Sequence, residues 1–291
     1  MNKKLALVLY KYFPYGGLQK DFMEIAKELL SRGNSLKVYT RSWEGEFPDG
    51  LEIIQLGETG ISNYSKNKKF IKKAFKALED FEPDIIFGFN KMPGLDLYFA
   101  ADTCFAFQSQ SKPFLQRYTR RFRQSIKYEE EVFSRNVSTK TLLLNNKQLN
   151  EFSKFYSTPS NRMTLVPPGM NRDWSKYKPI NIRERLNIPS EDKVLLFVGS
   201  DFSRKGLDRA ILTLSYLLKQ KKSATLVVIG DDDQAPYKKL LQQESLDKKV
   251  IFTGPSLEVA SFMKSADLLI HPAREEAAGN IIIEAIVSAL P

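Results

Sequence analysis

The feature that most restricts the fold is an alternation. Short apolar runs rich in Val, Ile, Leu and Phe recur, and stretches with apolar residues every three or four positions separate them. Strands are predicted at Leu5–Tyr10, Leu36–Thr40, Leu51–Leu56, Ile85–Phe89, Leu97–Ala101, Thr141–Asn145 and Met163–Val166. Helices are predicted over Gln19–Leu30, with Phe22, Ile25, Ala26 and Leu29 on one face and Gly33 just past its end, and over the Lys-rich stretch Lys68–Phe81. Strands alternating with helices imply an α/β fold with a mainly parallel, doubly wound sheet. Pro167-Pro168-Gly169 interrupts the series, and a polar segment runs on to about Lys193. The alternation then restarts with strand Val194–Gly199, helix Leu207–Lys219, strand Thr225–Gly230 and helix Pro236–Glu244. Strand Val250–Thr253, helix Ser256–Lys264, strand Leu268–His271 and a helix from Ile281 to Ala289 follow. Two Rossmann-like domains, residues 1–168 and 169–291, facing a cleft, are expected. A complete dinucleotide-binding domain has about six strands. The second series offers fewer and stops directly after a helix, so that domain is expected to be C-terminally truncated, and unstable or inactive as it stands.

Chemistry concentrates where strands run into helices. His271-Pro-Ala-Arg-Glu-Glu-Ala-Ala-Gly-Asn280 joins the last strand to the last helix. Glu276 lies in this loop, Glu284 lies one turn into the helix, and Gly279-Asn280 marks the helix start. A helix N-terminus presents free N–H groups to phosphate, and an ionised carboxylate can accept two hydrogen bonds from a diol. Sugar, diphosphate and ribose would each find a partner here. Gly199-Ser-Asp-Phe-Ser-Arg204-Lys205-Gly206 follows the first strand of the second series and suits a phosphate clamp, unless it is only a solvated basic loop. Gly16-Gly17 links the first strand to the first helix; it permits close backbone approach by a ligand, or else serves a turn needing positive φ. It is not Gly-x-Gly-x-x-Gly, which weakens a nicotinamide-cofactor reading. Asp231-Asp232-Asp233 reads as an acidic helix start rather than a metal pair, and no metal is expected. Asp102 is a candidate proton acceptor, or a loop aspartate bonded to its own backbone. His271, the only histidine, is expected to make a structural hydrogen bond.

Charge narrows the partners. The chain carries 44 basic and 34 acidic residues, net +10, which favours an anionic partner. No nucleic-acid-binding motif is present, so nucleic acid is not expected. No apolar run approaches membrane-span length, no signal peptide is legible, and the single cysteine, Cys104, suits a reducing, cytoplasmic compartment. Lys112–Lys127 is basic without an acid: Lys112, Arg117, Arg120, Arg121, Arg123 and Lys127 oppose a stripe of Leu115, Tyr118, Phe122 and Ile126. Such a helix either lies on an anionic membrane or packs its stripe on the core with a solvated basic face. Glu129-Glu130-Glu131 just beyond tempers the membrane reading.

Glu276…Glu284 together with the Arg204-Lys205 and Gly16-Gly17 loops resembles the retaining GT-B glycosyltransferases with a Glu-x7-Glu motif (family 4). Within them the chain is similar to bacterial lipopolysaccharide core glucosyltransferases, most densely in Leu9–Gln19, Tyr39–Gly45, Gly88–Asp96, Gly199–Gly206 and His271–Ile286. The resemblance implies UDP-glucose as donor, a lipid-anchored inner-core heptose as acceptor, and no metal. It implies that Glu276 holds the donor sugar hydroxyls, Glu284 the ribose, and Arg204 and Lys205 the diphosphate, with Gly16-Gly17 closing on it. The basic helix would sit on the inner face of the cytoplasmic membrane. The sequence departs from the pattern at Ala277-Ala278, where an aromatic is frequent, and at Gly230-Asp-Asp-Asp233. Another donor or acceptor, or an inactive membrane-binding form, remains open on these residues.

Overall fold

A computed structural model of the chain describes residues 2–110, 117–169 and 176–291. It divides into two compact units, Met1–Pro167 and Pro168–Pro291.

The first unit contains β1 (Lys4–Val8), β2 (Lys11–Tyr12), α1 (Gly17–Ser31), β3 (Ser35–Thr40), β4 (Ser42–Trp43), β5 (Leu51–Gln55) and α2 (Asn63–Glu79). There follow β6 (Ile85–Gly88), β7 (Leu97–Ala100), α3 (Phe105–Ser109), α4 (Arg120–Phe133), β8 (Lys140–Leu143), α5 (Asn146–Tyr156) and β9 (Met163–Leu165). Seven strands form one parallel sheet in the order β5-β3-β1-β6-β7-β8-β9, and β2 and β4 make a small ribbon of their own. Side chains alternate across a strand, so β1 serves two layers. Ala6 and Val8 join Phe70, Ile71 and Ala74 of α2, Val132 and Phe133 of α4 and Phe152 of α5 in one core. The opposite face carries Phe87 and Phe89, which meets Phe22 of α1 edge-on at 4.8 Å.

The second unit contains α6 (Ile182–Arg185), β10 (Lys193–Val198), α7 (Phe202–Lys205), α8 (Leu207–Lys219), β11 (Ala224–Ile229) and α9 (Ala235–Gln243). It continues with β12 (Val250–Gly254), α10 (Val259–Met263), β13 (Leu268–Leu269) and α11 (Asn280–Val287). Its parallel sheet has the order β12-β11-β10-β13. Leu195 and Phe197 face α7, α8 and α9, while Val194 and Leu196 face α6, α10 and α11. Both units are therefore wound on both faces, as the alternation requires.

Three expectations change. The polar stretch after residue 169 holds α6, whose N-cap Asn181 accepts from Glu184 N. The helix expected from Lys112 runs over Arg120–Phe133, so Glu129-Glu130-Glu131 belongs to it rather than following it. Thr119 caps it by accepting from Phe122 N at 3.2 Å, which explains the start. Arg117 and Tyr118 precede the helix, and Lys112 and Leu115 lie outside the described residues. Among the described residues no helix is long and apolar enough to cross a membrane.

Candidate active site

In the second unit the basic loop and the Glu276 loop follow neighbouring strands, because β10 pairs with both β11 and β13. Open parallel sheets bind ligands at this carboxyl edge. The turn after β10 is built by Asp201, whose carboxylate caps α7 by accepting from Arg204 N and pairs with Arg204 Nε at 3.0 Å. Gly206 then carries φ +77°, and a Cβ there would lie 2.3 Å from Pro272 O. Glycine is thus required twice over, by conformation and by contact. The approach lets the two loops bond directly. Arg274 N donates to Arg204 O at 2.8 Å, Arg204 Nη1 to Glu275 O at 3.2 Å, and Arg274 Nη1 to Ser203 O at 2.8 Å. Arg274 also grips Asp208 of α8 with both terminal nitrogens, at 2.7 and 2.6 Å.

This framework delivers Lys205 Nζ and His271 Nε2 to the same oxygen, Oε2 of Glu276, the histidine at 2.9 Å. A carboxylate only accepts, so His271 presents its Nε2–H. Oε1 accepts from Ala277 N at 3.1 Å. Burial pushes the Glu276 carboxyl up, but the hydrogen bonds from His271 and Lys205 outweigh it and hold the group well below the usual carboxylate range. Glu276 is an anion with fixed orientation. Gly279, at φ +69°, starts α11, which places Asn280 at its first residue and Glu284, buried, one turn on.

The structure thus brings together Lys205, Glu276 and His271, with Arg204 one residue from Lys205. Sequence reasoning anticipated a structural bond for His271 but not its partner. It missed Arg274 and Asp208, because nothing in the spacing pairs positions so far apart in the chain. The Asp231–Asp233 run is not the cap of α9, whose N-cap is Gln234 with no acid in the first turn. Asp233 Oδ1 accepts from Ala235 N at 2.9 Å from just ahead of that helix, and Asp232 Oδ2 accepts instead from Phe202 N at the start of α7, at 2.6 Å. Among the described residues no three His, Cys, Asp or Glu side chains converge as metal ligands.

In the first unit, Gly16 is the N-cap of α1 with φ −82°, and neither Gly16 nor Gly17 has positive φ. A Cβ on Gly17 would meet nothing within 4 Å, so the N-terminal turn of α1 stands open to an approaching group. Asp102 is exposed, and its carbonyl accepts from Gln148 Nε2 at 2.9 Å. The loop that carries it is fixed from behind by a residue the sequence did not reveal. Glu129 of α4 is 0% exposed and accepts from Lys91 Nζ, from Phe105 N at 2.8 Å, from Ala106 N at 2.9 Å and from Tyr156 OH at 2.8 Å. It caps α3 from another element and ties the loops after β6 and β7 together. Burial pushes the neighbouring Cys104 thiol up to about 12, so Cys104 is a packing residue. At the ends of β1, β3 and β5, Glu58 collects Lys11 at 2.7 Å, Lys66 at 2.8 Å and Arg41 at 3.8 Å.

On α4, Phe122 packs against Phe105 at 5.2 Å, and Ile126 lies against the core. The apolar stripe is therefore largely spent on the fold. Arg117, Tyr118, Arg120, Arg121, Arg123 and Lys127 are exposed.

Two doubly wound parallel units, the second with a cationic loop locked to a fixed carboxylate at its strand ends, define a glycosyltransferase of the GT-B class. The family model "Glycosyl transferases group 1" matches residues 180–291. The lipopolysaccharide glucosyltransferase WaaG of Escherichia coli K12 is 40% identical over 294 residues, spanning 99% of this chain and 79% of the relative. The crystal structure of WaaG superposes with a TM-score of 0.92 over 99% of this chain and 80% of that one. Sucrose-phosphate synthase of Thermosynechococcus elongatus, at 18% identity and TM-score 0.76 over 100% of this chain and 80% of its own, shares the fold. The chain belongs to the group 1 glycosyl transferases and is a GT-B glycosyltransferase.

Proposed function

We propose that the chain moves glucose from UDP-glucose to a heptose of a lipid-anchored lipopolysaccharide core, with retention at the anomeric carbon. The observation that carries this reading is the convergence of Lys205 and His271 on Glu276, in a chain 40% identical to a lipopolysaccharide glucosyltransferase. Glu276 accepts from the donor sugar hydroxyls, and Glu284 from the ribose. Arg204 and Lys205 face the diphosphate, aided by the N–H groups at Gly279-Asn280, and no metal is invoked. Fixed cations and dipoles stabilise the negative charge that develops on the leaving phosphate oxygen. The bond from the anomeric carbon to UDP breaks as the acceptor oxygen bonds on the same face, and Asp102 takes the acceptor proton. If Asp102→Asn turns over at the parent rate, that proton passes to the departing phosphate instead. Gly16 and Gly17 let an anionic substrate group approach the N-terminal turn of α1. Work at the inner face of the cytoplasmic membrane follows from the acceptor and from the exposed cations of α4.

The test is a titration of UDP-glucose, UDP-galactose and GDP-mannose, followed by transfer to core oligosaccharide lacking its glucose. Preferential binding of UDP-glucose with transfer supports the proposal. Preference for another donor would move the chain to a related hexosyltransferase, and equally poor binding of all three would overturn the donor assignment.

A further inference from the structure

The cations of α4 do not stand alone. α2 and α4 pack side by side on one sheet face, since Phe70, Ile71 and Ala74 of the former and Val132 and Phe133 of the latter share a core with Ala6 and Val8. Their outer surfaces therefore form one layer of the first unit. α2 carries six lysines and a single acid, Glu79, at its last residue. Lys68, Lys69, Lys72 and Lys76 are exposed and enter no ion pair among the described residues, while Lys73 Nζ donates to Leu56 O. On α4 the acids also gather at the C-terminal end: Glu129 turns inward, and Glu130 and Glu131 follow it. α1, on the opposite sheet face, is mixed, with two lysines and three acids. Among these three helices the excess of cations thus belongs to α2 and α4 and is absent from α1.

The two N-terminal ends meet, as Gln124 Nε2 donates to Tyr64 O at 3.4 Å. Each has an apolar side chain in solvent one residue before its N-cap: Ile61, 105% exposed, ahead of Ser62, and Tyr118, 59% exposed, ahead of Thr119. Cations set around exposed apolar side chains match a bilayer of anionic lipid, which offers charge at the headgroups and hydrocarbon just beneath. A soluble anion would use the charge and leave Ile61 unexplained.

We infer that α2 and α4 together form one docking surface for an anionic lipid bilayer, with Ile61 and Tyr118 entering the interface. This rests on the membrane association proposed above and extends it to an element that carries no part of that proposal. The experiment is flotation of the full chain with phosphatidylcholine vesicles, with and without phosphatidylglycerol. Parent protein is compared with an α2 variant (Lys68→Gln, Lys69→Gln, Lys72→Gln and Lys76→Gln together), an α4 variant (Arg120→Gln, Arg121→Gln and Lys127→Gln together) and Ile61→Ser. Both charge variants should lose affinity for phosphatidylglycerol vesicles by at least about tenfold, given the attraction of each surface cation. Ile61→Ser should weaken binding at high and low salt alike, since screening acts on charge only. Melting temperatures and UDP binding should be unchanged in all three. Parent-like binding of the α2 variant, with loss in the α4 variant, overturns this inference alone. Failure of the parent to bind phosphatidylglycerol vesicles, or binding of duplex DNA in their place, overturns it and the membrane association together.

Discussion

Replacing Lys205 by methionine keeps the stem of the side chain and removes its charge. Lys205 Nζ rests on Glu276 Oε2, with side chains 14% and 26% exposed. The pair is sheltered enough for its bond to matter, yet not so deeply buried that its loss would threaten the fold. A hydrogen bond to a charged group contributes about 1.5–3 kcal/mol. If the ammonium spends that on the leaving diphosphate, kcat/KM for UDP-glucose should fall by about 10- to 150-fold. The same change acts on Glu276. The His271 bond remains, but the bond and charge of Lys205 no longer oppose burial, so the carboxyl rises toward its ordinary range. A carboxylate with a depressed pKa stays ionised as pH falls. Raising that pKa therefore moves the acid limb of the activity profile to higher pH. Initial transfer rates over a pH series, paired with calorimetric titration of UDP, measure both effects. Lys205→Arg should recover only part of the loss, because a planar fork replaces a point charge. Parent-level kcat/KM and UDP affinity in Lys205→Met would refute the assignment.

Glu129→Gln should cost about 3–5 kcal/mol, because it leaves the sheltered Lys91 ammonium, its side chain 11% exposed, without its counter-charge; thermal denaturation should show a melting temperature lower by roughly 10 °C. Gly206→Ala places a side chain at φ +77° against Pro272 O, so it should destabilise the fold by at least about 1–3 kcal/mol in denaturant titration. Gly17→Ala, with nothing nearby to strike, should keep or raise the melting temperature; if the proposed approach of a substrate group to the N-terminal turn of α1 holds, the added methyl should also lower the transfer rate. Hydrogen bonds from Lys11 and Lys66 pull Glu58 down to about 2 from 4.5. Its contribution is therefore complete above about pH 4.5 and lost as pH falls through about 2. Glu58→Gln should be less stable than the parent at neutral pH and converge with it in acid, as followed by melting temperature across a pH series.

The fold was legible because its signals are local. An apolar run such as Val194–Gly199 and a periodic stretch such as Leu207–Lys219 each announce their element, and the latter helix has the predicted bounds. α6 escaped because a single turn held by Asn181 leaves no periodicity to read. Of the candidate site, Glu276, Lys205 and Gly279 were legible from their placement just past strands. Arg274 and Asp208 were not, since a bidentate pair between distant positions depends on how close two strand-end loops come. Glu129 escaped for a different reason. In a run of three glutamates, only the rotation of α4 decides which one enters the core, and that rotation is set by packing of Val132 and Phe133 against the sheet.

The lock between the basic loop and the Glu276 loop bears on how the enzyme can change over evolutionary time. Arg274 bonds Ser203, Arg204 and Asp208, and Gly206 leaves no room for a side chain beneath Pro272. The loops proposed to hold phosphate and sugar are thus one mechanical piece. A substitution that retunes one shifts the other, so single changes in either loop should be heavily epistatic. New donor preferences in such a scaffold would then arise through paired replacements across both loops.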